Sequence, residues 1–285
     1  MPLLFVGIWA TGFIVARLVA PHVDPLTFVA FRFVLSALAF AVFALLARAR
    51  WPRGMRGWRD ALVAGVLMQG CYLGGVFWAV RHGLPAGISA LITGLQPLLT
   101  GLLAFPLLGE RVGLRRWAGI ALGFAGALLV LQPQLRAAAG SLSGDTLIAP
   151  LLACGAATVA MTLGTIWQKR TGSATDVRTN AAVQFIGAAL VIAPVAVLLE
   201  SGRFDGSWQA WTGLAWAVCG LSLGATSLLL ILIRRGAVAG VASLFYLVPP
   251  VVAVLAFALF GEQLSALQVA GMALAAAGVA VAGRA

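Results

Sequence analysis

Runs of about 20 apolar residues, separated only by short clusters of Gly, Pro and charge, recur ten times along this chain and leave it one environment to fold in. A helix of about that length crosses the hydrocarbon core of a bilayer. Lipid offers backbone amides no partner, so the spanning segment must satisfy its own hydrogen bonds. Of the 285 residues, 62% are hydrophobic and 9% charged, against roughly a quarter charged in a soluble domain. The runs fall at about residues 3–20, 26–47, 61–80, 86–108, 114–131, 146–167, 178–199, 211–233, 237–260 and 264–282. The reading is an all-α integral membrane protein of ten transmembrane helices. Connections this short make successive helices antiparallel neighbours, and no extramembrane domain fits between them.

The net charge of +11 would suggest nucleic acid in a soluble chain. Here it sets orientation. With the N-terminus in the cytoplasm, the cytoplasmic connections hold 14 basic residues and the opposite ones 4, while Arg32 lies inside a span. The positive-inside rule then places both termini and the polar connection 48–60 in the cytoplasm of a multi-pass inner-membrane protein. Met1 opens an apolar run without a basic leader, so the first segment is expected to persist as a helix. Cys71, Cys154 and Cys219 sit in apolar runs and read as small buried hydrophobes. Asp24, Asp145 and Asp176 read as caps of the second, sixth and seventh helices.

Displacing the sequence by 152 positions superposes Gly12 on Gly164, Arg17 on Lys169, Asp24 on Asp176, Phe33 on Phe185 and Pro97 on Pro249 without a gap. Between residues 90 and 126 there are 15 identities in 37 positions, including Gly109-Glu110 with Gly261-Glu262. The chain therefore reads as two five-helix repeats, residues 1–133 and 145–285. An odd number of spans per repeat forces the second copy to enter from the opposite side, so the repeats are expected to be inverted. Inverted repeats recur in secondary transporters, with the substrate near the midplane between the copies.

Pro97 and Pro249 are expected to kink the fourth and ninth helices, freeing the carbonyls of Thr93 and Phe245, either as hinges at a cavity wall or as plain packing kinks. Arg32 lies about 10 Å into the second helix. Its guanidinium is either an anchor for a substrate carboxylate or a snorkelling or helix-bonding group. Glu110 and Glu262 end spans, as gating ion pairs or as solvated interface markers. His22 and His82 have no partner at ligand spacing, so no metal is expected. Gly119, Gly123, Gly126, Gly271 and Gly278 form small-residue faces suited to close helix packing.

The run Gly7-Ile8-Trp9-Ala10-Thr11-Gly12-Phe13, Arg32, the segment Gly83-Leu84-Pro85-Ala86, Pro97 and the closing Gly109-Glu110-Arg111 resemble the EamA-type drug/metabolite transporter superfamily over nearly the whole chain. The second copy carries Met161 for Trp9 and Gln184 for Arg32, so a symmetric binding site is not implied. The resemblance implies an exporter of small metabolites, often amino acids, whose helices 1, 3, 4, 6, 8 and 9 surround a central cavity. It makes Trp9, Thr11, Tyr72, Trp78, Thr93, Gln96, Thr162, Trp167, Gln168, Thr226, Phe245 and Tyr246 candidate lining residues. Trp9, Trp78 and Trp167 also suit interface anchors.

The leading functional expectation is a secondary transporter that exports neutral or zwitterionic metabolites, aromatic amino acids among them, by alternating access. A channel, or a proton-coupled multidrug pump, is the alternative. Small drug exporters of the superfamily rely on a membrane-embedded glutamate, whereas all eight acidic residues here lie at span ends or in connections. An enzyme is disfavoured because no two carboxylates or His residues share a span. The expected partners are a small-molecule substrate and the lipid bilayer. No cofactor and no nucleic acid are expected, and the oligomeric state stays open, a monomer included.

Overall fold

The computed structural model describes residues 1–139, 147–172, 175–261 and 263–283, which leaves Asp145 and Glu262 outside the described residues. Ten helices long and apolar enough to cross a membrane run through them. They are α1 (Pro2–Val19), α2 (Pro25–Leu46), α3 (Gly54–Arg81), α4 (Ala86–Leu108), α5 (Leu114–Arg136), α6 (Ile148–Thr171), α7 (Val177–Leu199), α8 (Trp208–Arg235), α9 (Val238–Phe260) and α10 (Ala266–Gly283). Leu46, Val197 and Leu198 are 79%, 81% and 80% exposed. Apolar side chains left that open belong against lipid. α3 starts seven residues before its apolar run, because helical hydrogen bonding continues through polar Met55-Arg56-Gly57-Trp58-Arg59-Asp60, where hydropathy alone marks an end.

The same backbone departures recur at equivalent positions of the two halves. α3 widens into a π-helical stretch over Val66–Cys71 and α8 over Ala217–Thr226. α4 breaks at Gly94 and Leu95, and α9 narrows to a 3-10 turn over Leu244–Leu247. Pro97 and Pro249 lie in the first turn of the half-helix that follows each break. They differ there from the mid-helix kinks expected from sequence: a proline's missing N–H costs nothing in a first turn, so each helix restarts at the proline. α4 and α9 end on Gly109 and Gly261 at φ +72° and +68°, a left-handed conformation that favours glycine.

Equivalent helices pack on each other over their length, α5 on α10 and α2 on α7. In both pairs the helices run antiparallel. A Cβ on Gly126 would lie 2.3 Å from the Ala275 amide nitrogen, and one on Gly119 2.5 Å from that of Ala282, so bare backbone is what lets α5 and α10 touch. Between α2 and α7 the rings of Phe33, Phe40 and Phe185 fill the seam, with centroids 5.8 Å apart.

At one end of the bundle the α1–α2 and α7–α8 connections pair through Val23 and Phe204. Asp176 caps α7 as expected, accepting from the Arg178 amide at 2.8 Å. Asp24 does not cap α2, because its carboxylate is engaged by the Ser201 hydroxyl and the Arg203 amide. Glu200 takes that role from across the bundle, accepting from the amides of Leu26 and Thr27 at 2.9 and 2.7 Å. Of the cysteines, Cys154 is buried and Cys71 half-buried, but Cys219 is exposed.

Candidate functional site

A central cavity forms where the two broken helices meet. The broken segments themselves supply Thr93, Gly94 and Gln96 from α4, and Phe245, Tyr246, Val248 and Pro249 from α9. Trp9 and Phe13 of α1, Tyr72 of α3 and Met161 of α6 complete the wall together with Phe124, Ala127, Leu128 and Leu131 of α5. α5 thus stands where the resemblance implied α8. The cavity holds about 70 Å³, room for a few waters, so an amino acid enters only if the walls part. Ala90 and Leu131 lie four and five residues from the helix ends nearest the α3–α4 connection, which brings the cavity to within about 8 Å of that end.

Toward the opposite end the bundle is shut. The rings of Phe5, Trp9 and Phe245 meet with centroids 5.3 to 5.5 Å apart, in a core that also buries Val6, Met68 and Met161. Beyond it Glu110 accepts from the Val238 amide at 2.9 Å and faces the Lys169 ammonium at 4.0 Å. Lys169 also donates to the Gly236 carbonyl at 2.7 Å. Glu110 therefore ties the α4–α5 connection to α6 and to the start of α9, which is the ion-pair alternative of the sequence reading.

Among the described residues, the cavity wall carries no charged side chain. Its polar atoms are neutral, and two lack a partner: the Gln96 amide oxygen and the Tyr246 hydroxyl, both buried. The other end of the Gln96 amide donates to the Thr100 hydroxyl at 3.1 Å, which orients it. Such groups are costly when unsatisfied, and the site retains two of them.

The remaining sequence candidates lie elsewhere. Thr11 accepts from the Trp216 indole at 2.8 Å. Trp78 stacks on His82, with centroids 4.0 Å apart, at the end of α3. Thr162 and Thr226 are fully buried and donate to the carbonyls of Thr158 and Leu221. Trp167 donates to the Asp60 carbonyl at 3.1 Å. Gln168 accepts from the Gln184 amide at 2.8 Å. Pro97 is buried behind the cavity wall. Arg32 is not among the lining residues, and its Nε donates to the Ser222 hydroxyl at 3.1 Å, the bond to a neighbouring helix that the sequence left as one option. Phe13, Met161 and the α5 residues are lining positions that the sequence reading missed, since nothing sets them apart from lipid-facing apolar residues.

The EamA-like transporter family model matches the chain twice, over residues 2–132 and 147–284. An uncharacterized transporter of Bacillus subtilis, YvbV, is 28% identical over 93% of this chain and 85% of its own length. A probable amino-acid metabolite efflux pump of Salmonella typhimurium is 26% identical over 98% of this chain and 92% of its own. A solved crystal structure superposes with a TM-score of 0.81 at 21% identity, covering 99% of this chain and 95% of that one, and shares the fold. The family and these relatives are transporters rather than enzymes. With ten spanning helices and a family match across both halves, this chain is a multi-pass membrane protein that belongs to the EamA-like transporter family.

Proposed function

We propose that this transporter exports small neutral or zwitterionic metabolites, amino acids with aromatic or large apolar side chains foremost, by alternating access through the cavity between two inverted repeats. The observation that carries the reading is the charge-free aromatic cavity built on two broken helices. The half-helices starting at Gln96 and Val248 direct N-terminal dipoles at the cavity, while the helical segments ending at Thr93 and Ser243 bring carbonyl ends toward it. A zwitterion matches that pairing, its carboxylate at an N-terminal end and its ammonium at a carbonyl end. Trp9, Tyr72 and Phe245 give an apolar side chain flat surfaces to lie against.

The repeats are residues 1–133 and 145–285, and the antiparallel packing of α2 on α7 and α5 on α10 supports their inversion. Both termini face the cytoplasm, on the strength of the 14 to 4 division of basic residues. In that orientation the shut end is cytoplasmic and the cavity lies on the outer side. The similarity to a probable amino-acid metabolite efflux pump of Salmonella typhimurium supports the substrate class.

The test is counterflow in proteoliposomes: vesicles preloaded with unlabelled phenylalanine should accumulate labelled phenylalanine, saturably and with preference for one enantiomer. Proton-driven uptake of a lipophilic cationic dye, with no amino-acid flux, would refute this reading in favour of multidrug efflux. Non-saturable flux would favour a channel.

A further inference from the structure

A second cavity, of about 850 Å³, opens at the shut end of the bundle between the α2–α3 connection and the α6–α7 connection. Gln168 on its wall is seven residues along α6 from Met161 of the central cavity, about 10 Å apart in axial rise. Five arginines line it: Arg48, Arg50, Arg53, Arg56 and Arg178. The two carboxylates on the wall are already engaged, Asp60 by Arg59 at 2.9 Å and Asp176 by Arg178 at 3.7 Å. Arg48, Arg50, Arg53 and Arg56 have no carboxylate partner among the described residues, so four positive charges face one pocket unneutralised.

The connection is held in place. Trp51 stacks on Trp58 with ring planes 6° apart, and the Thr179 hydroxyl donates to the Arg50 carbonyl at 3.0 Å. A buried amide chain leads to the pocket floor, where the Gln184 amide donates both to Asn180 at 2.7 Å and to Gln168 at 2.8 Å. It leaves the Gln168 Nε2 donor unpartnered, on a side chain 1% exposed that lines the pocket. A buried donor without an acceptor, on the wall of a pocket lined by arginines, suits an anionic oxygen.

We propose that this pocket binds the phosphate of an anionic membrane phospholipid. The phosphate chemistry alone would also admit a soluble phosphate. The neighbouring residues favour lipid: Leu45, Leu46 and Met55, within two positions in sequence of the lining residues Ala47 and Arg56, are 65%, 79% and 89% exposed, apolar surface for acyl chains beside the arginines. A basic pocket among helix ends at the bilayer surface is the usual setting for anionic headgroups.

The experiment uses the full-length purified protein and native mass spectrometry, with equimolar phosphatidylglycerol and phosphatidylcholine of the same chain length. One phosphatidylglycerol per chain should be retained in preference. R53Q/R56Q should lower that preference about 25-fold, at roughly fivefold per removed charge. R111Q/R115Q, which removes equal charge from the same end outside the pocket, should retain it. Equal retention of the two lipids would overturn the proposal, and so would equal losses in both double variants, which would mean diffuse surface charge. Displacement by millimolar inorganic phosphate would overturn the lipid assignment in favour of a soluble ligand. Unchanged thermal unfolding of R53Q/R56Q shows that its loss of preference is a loss of binding; if that variant unfolds early, R48Q/R50Q serves with the same expected outcome.

Discussion

Replacing Tyr246 with Phe separates two quantities that usually fall together. The Tyr246 hydroxyl is buried with no partner, on a residue only 1% exposed, and its ring is packed by Phe124 at 6.0 Å and by the Gly123 backbone. Phe keeps that ring and its packing and deletes only the oxygen. An unsatisfied buried polar group costs about 1–3 kcal/mol, so removing it should stabilise the empty protein by about 1 kcal/mol, seen as a rise of a few °C in the unfolding midpoint in detergent. Under the proposed function the same hydroxyl bonds the substrate in the loaded state, so its loss should weaken binding by about 1 kcal/mol, roughly a fivefold rise in KM for amino-acid counterflow. The two assays are thermal unfolding without substrate and counterflow with it. A fall in both stability and affinity would mean that the hydroxyl has a structural partner, and unchanged transport would remove Tyr246 from the site.

Gln96→Leu should act in the same direction, raising KM while the protein still folds, and an unaltered KM would leave the Gln96 oxygen without a role in binding. Gly126→Leu should prevent α5 and α10 from closing, since even a Cβ there lies 2.3 Å from backbone. Overpacking of this kind costs about 1–3 kcal/mol, to be measured as a lowered unfolding midpoint, whereas Gly7→Leu, which meets nothing within 4 Å, should leave the midpoint in place. Glu200→Gln should weaken the start of α2 by about 1 kcal/mol through loss of a charged acceptor at a helix N-terminus, read as faster amide exchange at Leu26 and Thr27. At the same end, the Ser207 amide and His22 pull the Asp205 carboxyl down to about 2 from its ordinary 3.8. A depressed carboxylate stabilises the folded state above its ordinary pKa and loses that contribution as pH falls through the folded value. The contact between the α1–α2 and α7–α8 connections should therefore loosen as pH drops from about 4 toward 2, and Asp205→Asn should weaken that dependence in amide exchange at Asp24, whose N–H donates to the Arg203 carbonyl across the contact.

The sequence by itself determined the ten spans, because membrane crossing depends on length and hydropathy, which are local properties. It also marked where helices break or stop. Pro97, Pro249, Gly109 and Gly261 act on their own backbone through a missing N–H or a tolerated positive φ, and each does so within one turn of where it stands. The glycine faces of α5 and α10 were legible for a similar reason, since a missing side chain is visible without knowing the partner. What only the tertiary structure decided is which way each side chain looks. In a soluble protein polarity divides core from surface, but in lipid the outer face is as apolar as the inner one, so Phe13, Met161 and Leu128 carry no mark distinguishing them from Leu46 or Val197. Polar residues were no surer guide. Thr162 and Thr226 satisfy themselves within their own helices, Gln168 faces the basic pocket rather than the cavity, and Arg32 is bonded to Ser222. Glu200 caps a helix 174 positions away, a partnership that arises only because packing brings the two connections together. Helix rotation about its axis is set by such distant contacts, and a single chain's local pattern does not contain them.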